Sequence, residues 1–560
     1  MTDIERESTH PRARETHDVV NQAPAREDVN EFTSNTVLVD AVATFGAGWG
    51  LPVLEQAGAL IGSAAFQADA VAAQTRPPLL RSHDRWGRRV DLVDYDPGYH
   101  RVIAEAVAHG AHTSGWSDPR PGAHVARAAT FMLFAQVEPG HACPVSMTHA
   151  AVPALRTTPD LADRWLPRLF ARGYDGALAE PAAKPGALLG MAMTEKQGGS
   201  DVRANTTWGE HAGGSDYLIT GHKWFCSAPM SDAFLVLAQT SRNGNAEGLS
   251  CLLVPRVLED ATPNVFRIQR LKDKLGNRSN ASGEVEFEGT VGHLVGEPGR
   301  GVRTIIEMVA RTRLDCVLGS TAGMRQAVAE ALWHVRHRQA FGSRLVDQPA
   351  MAAVVADLAL EAEAATLTSL RLAAAYEDDA SEADVAFRRL ATPLAKYWVC
   401  KRGPHHAFEA LECLGGNGYT EAFPLAMRYR EQPVMAIWEG SGNVIALDVL
   451  RALAREPGSV QAVLDELATT AGAHPTYDAH LRRVRELLTA AAGQEPVDRQ
   501  AGARGLTEAL ALAMQASLML RHSPTASAEA FVAARLGADR AAQYGVLPAG
   551  TDVTAILARH

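Results

Sequence analysis

The spacing of apolar residues changes twice along this chain, and that double change narrows the folds open to it. From about residue 36 to 185 apolar side chains recur every three or four positions, as in HVARAATFMLFAQVE (124–138), the stripe of an amphipathic helix. Near 190 the texture shifts. SDYLITGHKWFCSA, AFLVLAQT, LSCLLVPR and GEVEFEGTVGHLVG are short alternating or β-branched runs broken by Gly, Asn and Asp, which are strand and turn signals. From about 300 helical spacing returns over GVRTIIEMVARTRLDCVLGSTAGMRQAVAEALWHVRHRQAFG, with breaks that suit a helix bundle. The chain therefore reads as mainly α with an inserted β domain.

With 560 residues, 46% of them hydrophobic and 21% charged, the chain is long enough for three or four domains, each able to bury a core. The divisions expected are a polar, disordered leader (1–35), a helical domain (36–185), a β domain (186–297), a helical bundle (298–452) and a further helical block (453–560). A net charge of −10 argues against a generally basic nucleic-acid coat. The six cysteines contain no C-x-x-C pair, and such scattered thiols fit a reducing cytoplasm. The N-terminus has no apolar signal core. The longest apolar stretch, Ala509 to Leu520, is 12 residues, short of the roughly 20 a membrane helix needs. A soluble protein without a membrane partner is expected.

Four stretches could carry chemistry. GMAMTEKQGGSDVRANTT (190–207) sets Thr194, Gly198, Gly199 and Ser200 close together, hydroxyls and flexible backbone that suit a phosphate-bearing ligand or an ordinary turn. HKWFCS (222–227) offers Trp224 and Phe225 beside small polar groups, for stacking on a flat ring or for the core. RHRQAFG (336–342) is read as a helix end with a Gly C-cap, its arginines complementing the dipole or clamping a phosphate. In ECLGGNGYTEAFPLAMRYREQPVMAIWEGSGN (412–443) two Gly-rich turns flank a helical piece, and Glu439 stands between Trp438 and Gly440. Partial burial there would raise its pKa, as a base for a weakly acidic C–H requires. The bland alternative is a carboxylate at a helix N-terminus. His334 with His337 and His405 with His406 lack the further ligands of a metal site, so no metal is expected.

Taken together, MTEKQGGSDV, GHKWF, RLKDKLGNRSNASGEVEF, TRLDCVLGS and IWEGSGN resemble the acyl-CoA dehydrogenase superfamily and, within it, its AidB-like members, associated with the response to DNA alkylation. The resemblance runs from about 37 to 455 and more loosely to the end. It implies a helical N-terminal domain, a β-barrel-like middle domain, a four-helix bundle and non-covalent FAD. Carried over by position, Met191, Thr194, Gly199 and Ser200 would contact the flavin or its pyrophosphate, and Trp224, Phe225 and Ser227 would line the isoalloxazine. Arg338 and Phe341 would reach the FAD of a neighbouring subunit, implying a homo-oligomer, a tetramer by resemblance. Gly415 and Gly416 would lie by the ADP half. Ile437, Trp438, Gly440, Ser441 and Asn443 would close over the cofactor.

Glu439 aligns with the catalytic base that takes the α-proton of an acyl thioester, while the alternative base position of isovaleryl- and long-chain-type enzymes is Thr312. Arg313 would bind substrate. Ala310 stands where many relatives have an Asp that helps hold CoA, and Glu412 where many have Gln. The implied activity is weak acyl-CoA dehydrogenation, with an acyl thioester or an alkylating agent as small-molecule partner. An ordinary catabolic dehydrogenase with a longer C-terminus, or a DNA-binding scaffold with a structural flavin, are the alternatives.

From 451 onward the chain carries eleven Arg, no Lys and eleven acids, so the negative charge lies upstream. Arg-only usage suits bidentate phosphate contact, and it also suits a GC-rich coding background. HLRRVRELL gathers Arg482, Arg483 and Arg485 at the expected start of a helix. With Arg451 and Arg540 they are the candidates for the sequence-independent double-stranded DNA binding that the AidB resemblance implies. No tract is read as interleaving aromatic with basic residues, so single-strand stacking is not favoured.

Overall fold

The computed structural model describes residues 16–538 and 540–560. Helices between Thr36 and Leu169 form the N-terminal layer. Two of them, Ala123–Val137 and Ala142–Leu155, are buried on almost every side, because their alanines let neighbouring helices approach closely.

Two expectations for this part are corrected. A hairpin, β1 (Leu79–His83) and β2 (Arg89–Asp94), interrupts the region read as wholly helical. Its turn is an Asx turn in which Asp84 accepts from the Trp86 and Arg88 N–H groups at 2.8 and 2.9 Å. That turn also displays Arg85, Trp86 and Arg88, both guanidiniums over the indole, so basic and aromatic residues do interleave here. The disordered leader is the second correction. Residues 1–15 lie outside the described residues, but from Asn21 the chain is tied down. Asn21 hydrogen-bonds Gln339, Pro24 O accepts from Trp333 Nε1 at 2.8 Å, and Arg26 pairs with Glu31 in the interior. A few buried anchors hold a segment whose average composition is polar.

The middle of the chain is a seven-stranded sheet of β3 (Leu189–Ala192), β4 (Trp208–Gly213), β5 (Asp216–Ser227), β6 (Ala233–Arg242), β7 (Asn245–Pro255), β8 (Arg267–Leu271) and β9 (Ser282–Val295). The order β6–β4–β5–β9–β7 returns to β6 through the antiparallel β6–β7 pair, so the sheet closes and shields its edges. On the other side of β6, β3 pairs with residues 233–236 and β4 with 239–241. The stretch 190–207 thus opens on a strand before its glycine-containing loop. β1–β2 leans on this barrel. Asp91 accepts from the Ile268 N–H at 2.9 Å, and Arg89 donates to the Ile268 carbonyl at 3.0 Å.

The bundle is built from Gly301–His337, Pro349–Ala374, Glu382–Glu412 and the shorter Leu425–Met435. Short connections run the first three up, down and up, so the first and third are parallel. RHRQAFG does not end in a glycine cap. The helix stops at His337, Arg338 caps it in extended conformation, and Gly342 (φ +83°) turns a two-residue hairpin.

The C-terminal block packs into the same hydrophobic core as the bundle. That core is continuous from Phe32 through Leu360 and Leu394 to Leu510, Phe531 and Leu557. The helix Ala503–His522 enters it with a row of buried residues from Ala509 to Met519. A buried ionic cluster closes the contact. Arg535 donates to Asp357 (2.6 Å) and Glu361 (3.1 Å), and Arg402 also donates to Glu361 (3.2 Å).

This cluster yields a prediction. Burial alone would raise the pKa of Glu361, but Arg402 and Arg535 outweigh it and hold the carboxyl at about 2. A depressed acid pKa stabilises the fold above the ordinary value near 4.5 and ceases to do so as pH falls through the folded value. Arg535→Met strands the buried Asp357 carboxylate and leaves Glu361 with Arg402 alone, so a loss of about 3–5 kcal/mol is expected. It would be read as a lowered denaturation midpoint at pH 7, the gap from wild type narrowing below pH 4. An unchanged midpoint at pH 7 refutes it.

Candidate active site

The loop after β3 is fixed by a charged pair whose members had no assigned role in the sequence reading. Glu195 is fully buried and accepts from Lys223 Nζ (2.8 Å) and the Thr206 N–H (2.7 Å). Burial works to raise its pKa, and the Lys223 ion pair with the N–H bonds overcomes it and holds it at about 2. The Trp224 N–H donates to Thr194 O at 2.9 Å. These bonds pin Thr194 against the barrel. Gly199 folds over it so closely that a Cβ there would lie 2.4 Å from the Thr194 hydroxyl. Ser200 is exposed, and Met191 sits on β3 at the barrel edge, paired with Leu235.

On β5 the pairing with β9 slips between Lys223 and Cys226. Such a bulge re-aims side chains, and here it holds Trp224 and Phe225. Phe225 is 48% exposed, while Trp224 lies under the Lys272 ammonium, 3.1 Å from the ring centre. Ser227 meets Ser282 at 3.3 Å. Thr194, Gly199, Ser200, Phe225 and Ser227 therefore frame one edge of the barrel with an open aromatic face, three hydroxyls and glycine backbone.

The Glu439 turn faces this edge across Cys143, whose thiol neighbours Ser227 and Asn280 and senses the Glu439 charge. Glu439 adopts φ +57° and Gly440 φ +116°, so a non-glycine residue occupies the left-handed region, at a strain of about 1–3 kcal/mol. Two cations grip the turn. Arg313 Nε donates to Glu439 O at 3.1 Å, and Lys396 Nζ donates to Gly440 O at 2.8 Å. Burial raises the pKa of Glu439 above the ordinary carboxylate value, opposed by the Thr312 hydroxyl, Arg313 and Lys396. Among the described residues the Glu439 N–H finds no protein acceptor.

Arg313, expected to bind substrate, makes its second contact with Asp448 at 2.6 Å, so its guanidinium ties the Glu439 loop to that acid. Asp448 also takes Arg389 (3.3 Å) and Arg451 (3.5 Å). The remaining loop residues divide. Ile437 is exposed, Trp438 packs on Cys316, Cys400 and Met435, and Ser441 precedes the helix Gly442–Arg455 without capping it through its side chain. Asn443 Oδ1 accepts from Arg504 of the C-terminal block at 2.8 Å. Sequence reasoning missed Lys223, Glu195 and Lys396. The first two lie inside quoted motifs, whereas nothing in ATPLAKYWV marks Lys396.

Arg338, Phe341, Gly415 and Gly416 do not join this site. Arg338 is 25 residues beyond Arg313 on one helix, about 37 Å at 1.5 Å per residue. Gly415 follows the parallel third helix at the same end. Phe341 (φ +54°) is 100% exposed at its hairpin tip, and Arg338 donates to Asn21 O. Among the described residues no three His, Cys, Asp or Glu side chains gather as a metal site, and no helix is long and apolar enough to cross a membrane.

Comparison with known proteins places these features in a family. Residues 21–176 match the adaptive response protein AidB N-terminal domain. Residues 190–290 match the acyl-CoA dehydrogenase middle domain and 299–454 its C-terminal domain. AidB of Escherichia coli K12, assigned by name to the acyl-CoA dehydrogenases, is 44% identical over 85% of this chain and 87% of its own length. The Caenorhabditis elegans acyl-CoA dehydrogenase ACDH-11, solved with C11-CoA, superposes with a TM-score of 0.86 at 25% identity, covering 96% of this chain and 95% of that one. A Bacillus anthracis acyl-CoA dehydrogenase solved with FAD shares the fold, with a TM-score of 0.64 at 18% identity over 78% of this chain and 79% of its own.

The raised Glu439 pKa has a stability consequence. An acid with a raised folded pKa costs stability once it must ionise in place, so the cost is absent below the unfolded value and grows as pH rises through the folded one. Glu439→Gln should therefore melt higher than wild type at pH 8 and equal to it near pH 4, by thermal denaturation across pH. A mutant that melts lower at pH 8 contradicts the strained, half-buried carboxylate.

Proposed function

The chain belongs to the acyl-CoA dehydrogenase superfamily, as one of its AidB-like members and a flavin-dependent oxidoreductase whose cofactor is FAD, and from that premise we propose that Glu439 is the base of an α,β-dehydrogenation of acyl thioesters. One observation carries this reading: a strained, half-buried carboxylate of raised pKa is held opposite an open aromatic and hydroxyl edge. That edge fits a flavin. Phe225 offers a flat face, Ser227 and Thr194 offer hydroxyls, and Gly198 and Gly199 leave backbone bare where a Cβ at Gly199 would strike Thr194. When bound, FAD supplies the hydride acceptor.

The protein's own part is orientation and proton transfer. Glu439 takes the proton from the carbon next to the thioester carbonyl. Its raised pKa brings it nearer the working pH, where a general base is most effective. The unpartnered Glu439 N–H is placed to polarise that carbonyl, the oxyanion contribution such a weakly acidic C–H needs. Arg313 acts through the loop rather than on substrate, and with Ala310 beside it the CoA end has few charged contacts on this helix. Weak turnover of isovaleryl-type thioesters follows. Arg338, Phe341, Gly415 and Gly416, gathered at the far end of the bundle, support assembly in which a second copy completes the cofactor site, and we propose a homotetramer. Six unpaired thiols suit a cytoplasmic setting.

We further propose non-specific duplex DNA binding in protection from alkylation, and the charges favour a narrower face than the sequence did. Arg451 and Arg540 are tied to Asp448 and Glu508. Arg482, Arg483 and Arg485 are exposed, and no carboxylate among the described residues lies within ion-pair distance of them. They sit in the middle of the helix Pro475–Gly493, not at its start, with Arg482 and Arg483 turned away from buried Tyr477, Leu481 and Val484 and Arg485 on the flank of that stripe.

Three outcomes are expected. Purified protein shows a flavin band near ~450 nm, a property of the cofactor. Glu439→Gln keeps its FAD yet reduces flavin bleaching by isovaleryl-CoA at least ~10²-fold; equal rates would remove Glu439 as base. Duplex affinity falls steeply with salt whatever the sequence, and changing Arg482, Arg483 and Arg485 to Ala flattens that slope without loss of FAD. A wild-type slope in the triple variant moves the phosphate face elsewhere.

A further inference from the structure

Lys396 lies in the interior of the third bundle helix at 1% exposure. Its ammonium has one hydrogen bond, to Gly440 O at 2.8 Å, and among the described residues no carboxylate lies within ion-pair distance of it. A buried ammonium without an ion pair is costly. A hydrophobic residue would fill this site better, unless the charge serves the turn above it.

The groups around that turn are few and can all be named. From the helix Gly301–His337 come Thr312, Arg313, Asp315 and Cys316. From Glu382–Glu412 come Lys396 and Cys400, with Lys401 farther out. From Ala142–Leu155 comes Cys143, with Lys274, between β8 and β9, next to it. Burial pushes all three thiols upward, so they stay neutral and cannot balance Lys396. Arg313 is already matched by Asp448. Asp315 is spent on Arg127, so Glu439 is the one acid in this set without an ion pair among the described residues. Of the unpaired cations, Lys274 is bonded to Asn280 O and Lys401 is exposed, and Lys396 alone is bonded to the turn.

We propose that Lys396 is a positioning residue for Glu439: it fixes the carbonyl after the left-handed residue, and its unbalanced charge faces the carboxylate from behind the turn. This rests on the reading of Glu439 as the base and adds how the base is held ready. Arg313 and Lys396 divide the work. Arg313 ties the turn to the helix Gly442–Arg455 through Asp448, whereas Lys396 leaves its charge to the carboxylate. The Gly440 carbonyl is a fixed acceptor, so the ammonium cannot swing away without giving up its one hydrogen bond.

The test is the protonation midpoint of Glu439 in the FAD-loaded protein, followed by infrared difference spectroscopy. The band is assigned by its loss in Glu439→Gln. Lys396→Met removes both charge and hydrogen bond. Lys396→Gln keeps a donor for Gly440 O and removes only the charge, which covers the case of a Met variant that does not fold. Lys396→Arg restores the charge. The midpoint should rise by about one pH unit or more in the neutral variants, as expected for losing a nearby opposite charge, and return towards wild type in Lys396→Arg. The low-pH limb of turnover should move with it. A wild-type midpoint in either folded neutral variant overturns the proposal. If instead Glu439→Gln dehydrogenates normally, the base assignment fails while the measured midpoint still decides whether Lys396 acts on Glu439.

Discussion

The buried pair between Arg127 and Asp315 sets the register on which the rest of this molecule depends. Both side chains are 2% exposed, Arg127 Nη2 meets Asp315 Oδ2 at 3.0 Å, and Arg127 Nε is taken by Ala111 O at 2.7 Å. Sliding the long bundle helix by one turn against the N-terminal layer would strand two charges in the interior, at a cost of about 3–5 kcal/mol. Apolar contacts are less exacting about that slip than the charges are, since they carry no directional partner. With Asp315 fixed, Thr312 and Arg313 lie within one turn of it, and the Glu439 loop is hung from Arg313.

The site is thus assembled from pieces that no single domain contains. One wall is a barrel edge, stiffened by Glu195 and Lys223 and bent by a bulge that brings Trp224 and Phe225 outward. The other is a turn that would relax if left alone, since Glu439 sits in backbone space that favours glycine. Two cations from two helices keep it there. Glu138 joins the layers behind the site, accepting from Ser279 of the barrel at 2.6 Å and from the N–H of His141 at 2.8 Å. Strain, burial and charge act together at one residue, and such concentration is the usual mark of a reacting group.

The C-terminal block cannot be treated as an appended module. It shares the bundle's core, closes the Asp357–Glu361–Arg402–Arg535 cluster and reaches the loop at Asn443 through Arg504. Its neutral balance of charges hid a division that only packing makes visible. Arg535 is internal, Arg371 and Arg521 meet at Glu466, and Arg482, Arg483 and Arg485 remain on the solvent side. A net charge of −10 and a local cationic face are compatible because the acids are taken up in pairs elsewhere.

The switch of apolar period from helix to strand and back, a local property, was legible in the residues and carried the architecture. So were the motif residues Thr194, Gly199, Phe225, Ser227 and Glu439, which stand in short stretches of unusual composition. Missed were elements whose signals are weak or distant. The hairpin Leu79–Asp94 was lost inside helical surroundings, and the segment from Asn21 is held by partners some 300 residues away. What Arg313 does depended on Asp448, and Lys396 had no local pattern to mark it. Sequence determined which residues could form each element and which chemistry they could offer. Tertiary structure alone decided which charges are neutralised and which are left to act, because that depends on long-range burial and pairing that local spacing does not encode.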